Sequence, residues 1–596
     1  MSYKRLLIAS SRPSGLSRIS HCFLFQRNES TVSIKSEEDR RSPGSASKGP
    51  SHLYHPGSTP ILEQTIGDLL KQAAYKWPDR ECIVSLHQNV RLTFSEVLKR
   101  ADKLAAGLKK LGLNQGDRIG LWGPNDVEWF LTFMATARAG LILVAINPAY
   151  RRDELVYALT TTNVKVLVCP ESYRSQDYAQ MVLQVKDRCP ALEHCIVYSE
   201  NRVAGTRHFS DIETLAGKAE VQAIAEQQGE ISPYEGCNIQ FTSGTTGKPK
   251  AALISHRSFV NNSRQCSERN ELTGKHDKIC LNVPFFHVFG LVMAEILCLH
   301  AGTTIVLEGP TFNPKNSLHA VAKEKCTVMY GTPTMWINIV DAQSRIGAPV
   351  ESLSRGATGG SPASPELFKR IREFLKIDNM KSLYGLTETT AAIFQSMPGD
   401  SRELQETTVG HLSDHVEAMV VDEKCFPVPF GTAGELWTRG YTNMMKYWED
   451  QENTAKTITK DGWVKTGDLF ILHENGYGQI VGRLKDIVIR GGENIFPKEV
   501  EDFLESHPAV LEVHAFGVHD DVYGEELCAC VRLQKGANIT AEELKSYALG
   551  KIARFKIPKY IVFVNEFPRT TSGKIQKFKL KDDMEKQGAV PTAPQK

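Results

Sequence analysis

The sequence predicts an α/β protein: a large N-terminal domain of layered helices and largely parallel sheets, followed by a small domain with strands and helices of its own. Three observations predict it. Helical and strand-like hydrophobic patterns alternate from about Ile61 onward, as in successive βα units. A chain of 596 residues exceeds one ordinary core, so two to four domains are expected. Near residue 480 the texture turns polar at Gly482-Arg483-Leu484-Lys485-Asp486, which marks a boundary at Lys485.

The first 28 residues stand apart. They hold Lys4, Arg5, Arg12, Arg18 and Arg27, six serines and no acidic residue, with Leu6, Leu7, Ile8, Leu16, Ile19, Phe23, Leu24 and Phe25 between the charges. A basic, serine-rich, acid-free and amphipathic stretch predicts a mitochondrial import segment and hence a matrix location. The polar Ser/Gly/Pro stretch that follows, to about Pro50, predicts a linker. Thr93 and Glu96 predict a capping box, Val97, Ala101, Leu104 and Leu108 recur at helical spacing, and Gly112 predicts the stop. Residues 118–122 and 164–169 predict short strands. The apolar run 139–150, at 12 residues, suits a buried strand and turn and is too short to span a bilayer.

Beyond Lys485 a strand is expected at 487–489, a turn at Gly491-Gly492 and a helix opening at Pro497, with structure continuing to about Lys581. The expected organisation is import segment and linker over 1–50, large domain over 51–484, small domain over 485–585 and a tail over 586–596. That tail ends Ala593-Pro594-Gln595-Lys596, which is no peroxisomal address. No internal repeat is present.

Hydrophobic residues at 41% and charged residues at 23% are those of a globular enzyme. A net charge of +2 supplies no field favouring nucleic acid or an acidic membrane. The 13 cysteines are scattered, with Cys528 and Cys530 the one close pair, which predicts reduced thiols.

Residues 241–250 read FTSGTTGKPK. Glycine lets backbone N–H groups approach closely, Ser and Thr donate hydrogen bonds, and Lys adds positive charge, so the stretch can wrap a polyphosphate. A Walker loop it is not: two residues, rather than four, separate Gly244 from Gly247, and Pro249 rather than Ser or Thr follows Lys248. Another nucleotide-binding architecture is therefore expected.

Downstream, in order, come GATGGSP (356–362), YGLTETT (384–390), GELWTRGY (434–441), WVKTGDL (463–469), GRLKD (482–486) and RTTSGK (569–574). Each alone is an ordinary turn-forming stretch. The ordered set resembles the adenylate-forming superfamily of acyl-CoA synthetases, aryl-CoA ligases, luciferases and the adenylation domains of peptide synthetases. The resemblance spans about Ile61 to Lys581. The GGENIFPKEVE stretch and the import segment resemble the mitochondrial medium-chain acyl-CoA synthetases most.

The resemblance implies the adenylate-forming enzyme fold, with a small, mobile α+β C-terminal domain, and it implies roles. Thr242, Ser243, Thr245, Thr246 and Lys250 would hold the β- and γ-phosphates of ATP, with Gly244, Gly247 and Lys248 completing the cradle. Gly359 and Gly360 would line the adenine, against which Tyr384 stacks. Glu388 would bind Mg²⁺ alongside the Thr245 hydroxyl. Asp468 would accept hydrogen bonds from the ribose hydroxyls, and Arg483 would bind ribose and phosphate oxygens. Lys485 would be the hinge. Lys574 would bridge the substrate carboxylate and the α-phosphate. Gly491 and Gly492 would line the path of coenzyme A after the small domain rotates. His287, in PFFHVFG (284–290), would lie beside the acyl pocket and the thiol path. Leu291 stands where long-chain members often carry a gating Trp, which favours a shorter acyl chain. Gly331, Thr332, Pro333 and Trp336 either line this pocket or pack the core.

The chemistry agrees. A carboxylate attacking the α-phosphate brings anion against anion, and fixed cations with in-line geometry lower that barrier. Mg²⁺ needs few protein ligands beside phosphates and water. Coenzyme A brings its own thiol, and no carrier module follows Lys581. The expected partners are small molecules: a fatty acid, ATP and coenzyme A. An aryl-CoA or luciferase-like enzyme, or a nucleotide-binding regulator without turnover, remains an alternative, and acyl chain length and oligomeric state stay open.

Overall fold

The computed structural model describes residues 49–242, 248–272 and 274–592. The expected import segment, the loop residues 243–247 and the last four residues lie outside them. Where the signal is local, element and expectation coincide. Thr93 Oγ accepts from the Glu96 N–H at 3.2 Å and Glu96 accepts from the Thr93 N–H at 2.8 Å, opening the helix Phe94–Lys110. Val97, Ala101, Leu104 and Leu108 are buried along one face. Gly112, at φ +96°, follows the last turn, where a left-handed residue satisfies terminal carbonyls. Strand Arg118–Trp122 forms as expected, and the strand expected at 164–169 is Val166–Pro170.

Two large sheets carry most of the chain. In the eight-stranded sheet, parallel strands run in the order Arg207–His208, His194–Tyr198, Val166–Pro170, Arg118–Trp122, Ile142–Ile146 and Gly236–Thr242. The antiparallel strands Lys250–Ser255 and Lys446–Tyr447 extend it. The nine-stranded sheet has at its centre the parallel strands Asn379–Tyr384, Arg355–Thr358, Val328–Gly331, Lys278–Leu281, Thr304–Leu307 and Glu81–Ser85, with antiparallel strands at both edges. Helices cover the faces, so central strands such as Ile142–Ile146 are buried throughout and read as continuous apolar runs.

The expectation of largely parallel sheets fails for a third, five-stranded sheet. Strands His52–Tyr54, Val416–Val421, Ala433–Gly440, Val464–Leu472 and Gly478–Arg483 pair antiparallel throughout. The link from Leu472 to Gly478, turning through Gly476 at φ +84°, is too short for the crossover that parallel pairing needs.

A last sheet begins at Val488–Arg490, one residue later than the expected 487–489 strand. Gly491 and Gly492 turn the chain at φ +58° and +90°, and Pro497 occupies the first turn of helix Pro497–Glu505. The long strands Val510–Asp520 and Gly524–Leu533 pair antiparallel, and Tyr560–Phe563 adds in parallel. One face covers a cluster including Val488, Val500, Leu504, Ala529 and Leu544. The other covers Phe516, Cys528, Cys530, Phe567, Leu580, Met584 and Val590, so packed structure continues past Lys581. The 12 described cysteines are free, and all but Cys425 are buried. No helix among the described residues is long and apolar enough to cross a membrane.

Candidate active site

Four sequence stretches converge at the carboxyl ends of neighbouring strands in the nine-stranded sheet. Lys278–Leu281 runs on to His287, Val328–Gly331 ends at Gly331-Thr332, Arg355–Thr358 precedes Gly359-Gly360, and Asn379–Tyr384 ends at Tyr384. Lys278–Leu281 pairs with Thr304–Leu307 on one side and Val328–Gly331 on the other, so chain order reverses there. Such a switch point leaves a crevice beyond the strand ends where ligands bind. Gly359 packs where a Cβ would lie 2.6 Å from Leu383 Cδ1. Gly360, at φ +85°, leaves its open side toward Lys574, whose Cε would stand 3.7 Å from a Cβ.

The antiparallel sheet supplies a polar wall. Asp468 and Arg483 are cross-strand partners, and Arg483 Nε lies 3.0 Å from Asp468 Oδ1. Tyr384 donates its hydroxyl to Asp468 Oδ2 at 2.7 Å, and its ring packs on Phe470 and Phe394. Burial pushes the Asp468 carboxyl up, against the opposing pull of Arg483 and Tyr384. Asp468 is 3% exposed while Arg483 keeps 43% of its side chain in solvent, so the pair opens on its cationic side.

The Gly/Ser/Thr/Lys loop joins strand Gly236–Thr242 to strand Lys250–Ser255, with Thr242 directly opposite Lys250. It is therefore the tip of an antiparallel hairpin rather than the strand-to-helix loop of a Walker fold. The expected ligands Ser243, Gly244, Thr245, Thr246 and Gly247 lie outside the described residues. Lys250 Nζ stands 4.4 Å over the Tyr447 ring, and Tyr447 donates its hydroxyl to Glu388 Oε1 at 2.7 Å. Lys248 is exposed and lies 5.1 Å over the Tyr157 ring, apart from this chain of contacts.

Glu388 retains acceptor capacity beyond that one bond. Among the described residues no three or more His, Cys, Asp or Glu cluster as a metal site. A cation at Glu388 would thus take its remaining ligands from phosphates, hydroxyls and water, the donor set that suits Mg²⁺.

Lys574 reaches this region on a tight turn. The Thr570 N–H donates to the Lys574 carbonyl at 2.7 Å, the Lys574 N–H donates to Thr570 Oγ at 3.0 Å, and Gly573 takes φ +84°. Withdrawal from water, reinforced by Arg483, lowers the Lys574 pKa, while Glu388 and Asp468 oppose that shift. His287 is pushed down to about 3 by burial and by the Lys574 charge, so it is a neutral imidazole near pH 7. Its Nδ1 accepts from the Phe289 N–H at 3.1 Å. Leu291 is fully buried at the start of the π-helical segment Leu291–Ile296, and Trp336 is fully buried with its indole N–H donating to the Ala357 carbonyl.

The fold thus brings together His287, Gly360, Tyr384, Glu388, Asp468, Arg483 and Lys574, and it links Lys250 through Tyr447. It does not bring Gly491 and Gly492 to them: among the described residues, the nearest atoms to a Cβ at Gly491 belong to Tyr523, and none lies within 4 Å at Gly492. Lys485 sits in the single turn Leu484–Asp486 between the antiparallel sheet and the last one. Sequence reasoning missed Tyr447, which lies outside the six quoted stretches. It also gave no role to Arg569 and Thr571, although both belong to a quoted stretch.

A switch-point crevice, a hairpin-tip loop rich in phosphate-binding residue types and a lysine turn delivered from a separate sheet define a nucleotide-binding α/β enzyme. The chain belongs to the AMP-binding enzyme family, whose model matches residues 70–448, with its C-terminal domain model matching 499–574. It is 41% identical to the mitochondrial medium-chain acyl-CoA ligase ACSF2 of Danio rerio over 90% of this chain and 91% of that one. It is 38% identical to the putative acyl-CoA synthetase YngI of Bacillus subtilis (strain 168), over 88% and 97% respectively. The ATP-bound structure of MatB from Rhodopseudomonas palustris superposes with a TM-score of 0.76 at 27% identity, covering 88% of this chain and 99% of that one.

Proposed function

We propose that this protein is an ATP-dependent, AMP-forming acyl-CoA ligase whose substrate is a medium-chain fatty acid. The observation that carries the reading is the seating of Lys574 against Gly360, within the electrostatic reach of Glu388, Asp468 and Arg483. A carboxylate oxygen attacks the α-phosphorus of ATP, the bond to pyrophosphate breaks, and acyl-AMP forms. Lys574 holds the attacking carboxylate and an α-phosphate oxygen together and stabilises charge that grows in the transition state. Asp468 accepts from the ribose hydroxyls, Arg483 binds ribose and phosphate oxygens, and Tyr384 and Gly360 bound the adenine. The hairpin tip, with Thr242 and Lys250 at its base, cradles the outer phosphates. Glu388 and Thr245 would hold Mg²⁺, which supplies charge neutralisation on the departing pyrophosphate.

In the second half-reaction the thiol of coenzyme A attacks the acyl-AMP carbonyl, the acyl–oxygen bond breaks and AMP leaves. Rotation of the small domain about Lys485 withdraws Lys574 and brings Gly491 and Gly492 to the thiol path. Neutral His287 borders that path as a packing and polar surface. The names of the vertebrate relatives support a mitochondrial location, and the basic, acid-free leader supports the matrix.

The test supplies ATP, Mg²⁺, coenzyme A and straight-chain acids of graded length, and follows nucleotide and pyrophosphate. AMP and pyrophosphate in equal amounts, with a maximum at medium chain length, are expected. ADP in place of AMP, or turnover with aromatic acids alone, would refute the proposal.

A further inference from the structure

Among the described residues, two side-chain hydrogen bonds tie the turn that carries Lys574 to the large domain, and both end on neutral groups. Arg569 lies across the gap. Its Nη2 donates to both oxygens of Glu512, at 2.7 and 2.8 Å, within the last sheet, and its Nη1 donates to the Thr334 hydroxyl at the start of helix Pro333–Ile346. Glu512 is 2% exposed and is also contacted by His514 at 3.0 Å and Arg532 at 3.3 Å. Burial opposes its charge, but His514, Arg569 and Arg532 hold its carboxyl at about 2. The guanidinium is thus fixed by an ionised partner on its own side of the gap.

Two residues on, the Thr571 hydroxyl donates to Asn147 Oδ1 at 3.0 Å. Asn147 is itself fixed, because its Oδ1 accepts from the Ala149 N–H at 2.9 Å and its carbonyl accepts from the Trp122 indole at 3.1 Å. Asn147 follows strand Ile142–Ile146 of the eight-stranded sheet, whereas Thr334 follows Val328–Gly331 of the nine-stranded sheet. The turn is therefore tied to both large sheets. Between the ties, a Cβ on Gly573 would lie 3.0 Å from Thr332 Oγ, a buried atom with no hydrogen-bond partner among the described residues.

We propose that Arg569 and Thr571 are positioning residues that clamp the Lys574 turn onto the large domain for adenylation, with Thr334 and Asn147 as its release points. The proposal rests on the AMP-forming reading above. Both contacts across the gap end on neutral groups. When they break, Arg569 stays neutralised by Glu512, so no charge is stranded. An ion pair spanning the gap would leave unpaired charges on release and resist it. A neutral hydrogen bond such as that from Thr571 to Asn147 shifts an equilibrium by roughly three- to tenfold, and the charge-assisted bond from Arg569 to the Thr334 hydroxyl by roughly tenfold or more, so together they bias the seated state while leaving release accessible.

The experiment changes only the large-domain side. Thr334→Val keeps the shape and removes the hydroxyl, Asn147→Ala removes the second acceptor, and Thr334→Ser restores the first bond. With octanoate, the double variant is expected to lose about 10- to 100-fold in pyrophosphate–ATP exchange. Thioester formation from supplied octanoyl-AMP should stay within about twofold, Thr334→Ser should recover exchange, and backbone hydrogen exchange across 569–575 should quicken in the double variant. Equal loss in both half-reactions, or unaltered hydrogen exchange across 569–575, overturns the clamp. If the unaltered protein activates no fatty acid, the proposed function fails, and the hydrogen-exchange contrast still decides the clamp.

Discussion

Replacing Lys574 by alanine isolates the contribution of one cation. In the structure its ammonium is withdrawn from water, and Gly360 leaves room for its stem at 3.7 Å. A unit charge about 4 Å from a phosphoryl or carboxylate oxygen, at an effective dielectric near 20, is worth on the order of 4 kcal/mol, or about a thousandfold in rate. Lys574→Ala should therefore slow acid-dependent pyrophosphate–ATP exchange by about 10³-fold. The ammonium is withdrawn but the residue as a whole keeps some solvent exposure, so truncation leaves no sealed cavity and folding should be nearly unaffected. Thioester formation from supplied acyl-AMP should continue, because that step no longer needs the bridge. Titration adds a second reading. Burial first, then Arg483, depresses the Lys574 pKa, and the proposed bridge between carboxylate and α-phosphate needs the protonated form. Exchange should fall as pH rises through a pKa below the ordinary 10.5, and the alanine variant should lack that alkaline limb. Equal loss in both half-reactions would refute the reasoning.

Other expectations follow from single contacts. Asp468→Asn removes the charge that meets Arg483 at 3.0 Å and should raise the KM for ATP roughly 10- to 100-fold, measured by exchange kinetics; an unchanged KM would remove Asp468 from the nucleotide site. Lys485→Pro stiffens the link between the antiparallel and last sheets and should slow thioester formation more than adenylation; full thioester activity would argue against rotation there. Glu295, fully buried with neither carboxyl oxygen partnered among the described residues, has its pKa raised by burial and then by Cys298. Its proton is held more tightly in the folded state, so this residue costs stability as pH climbs above its unfolded value of about 4.5. Glu295→Met should therefore stabilise by roughly 1–4 kcal/mol at pH 8 and by less at pH 5. Thermal scans showing the same gain at both values would contradict the buried-acid account.

What the sequence determined by itself was whatever depends on neighbours along the chain. The Thr93–Glu96 box, the Arg118–Trp122 strand, the positive φ at Gly491 and Gly492, and Pro497 at a helix start all draw on interactions within a few residues. The expectation that 241–250 wraps a polyphosphate, and its departure from a Walker loop, likewise rest on local composition and spacing. Tertiary structure alone decided pairings across long separations. Tyr447 meets Glu388 across 59 residues and Arg569 meets Thr334 across 235, and Asp468 faces Arg483 only because an antiparallel register puts them opposite each other. The antiparallel sheet escaped a reading of alternating helices and strands, since strand direction depends on connections rather than on side-chain periodicity. Local energies choose an element, whereas the packing of whole sheets chooses which elements meet, and catalysis of the kind proposed here resides in the meeting.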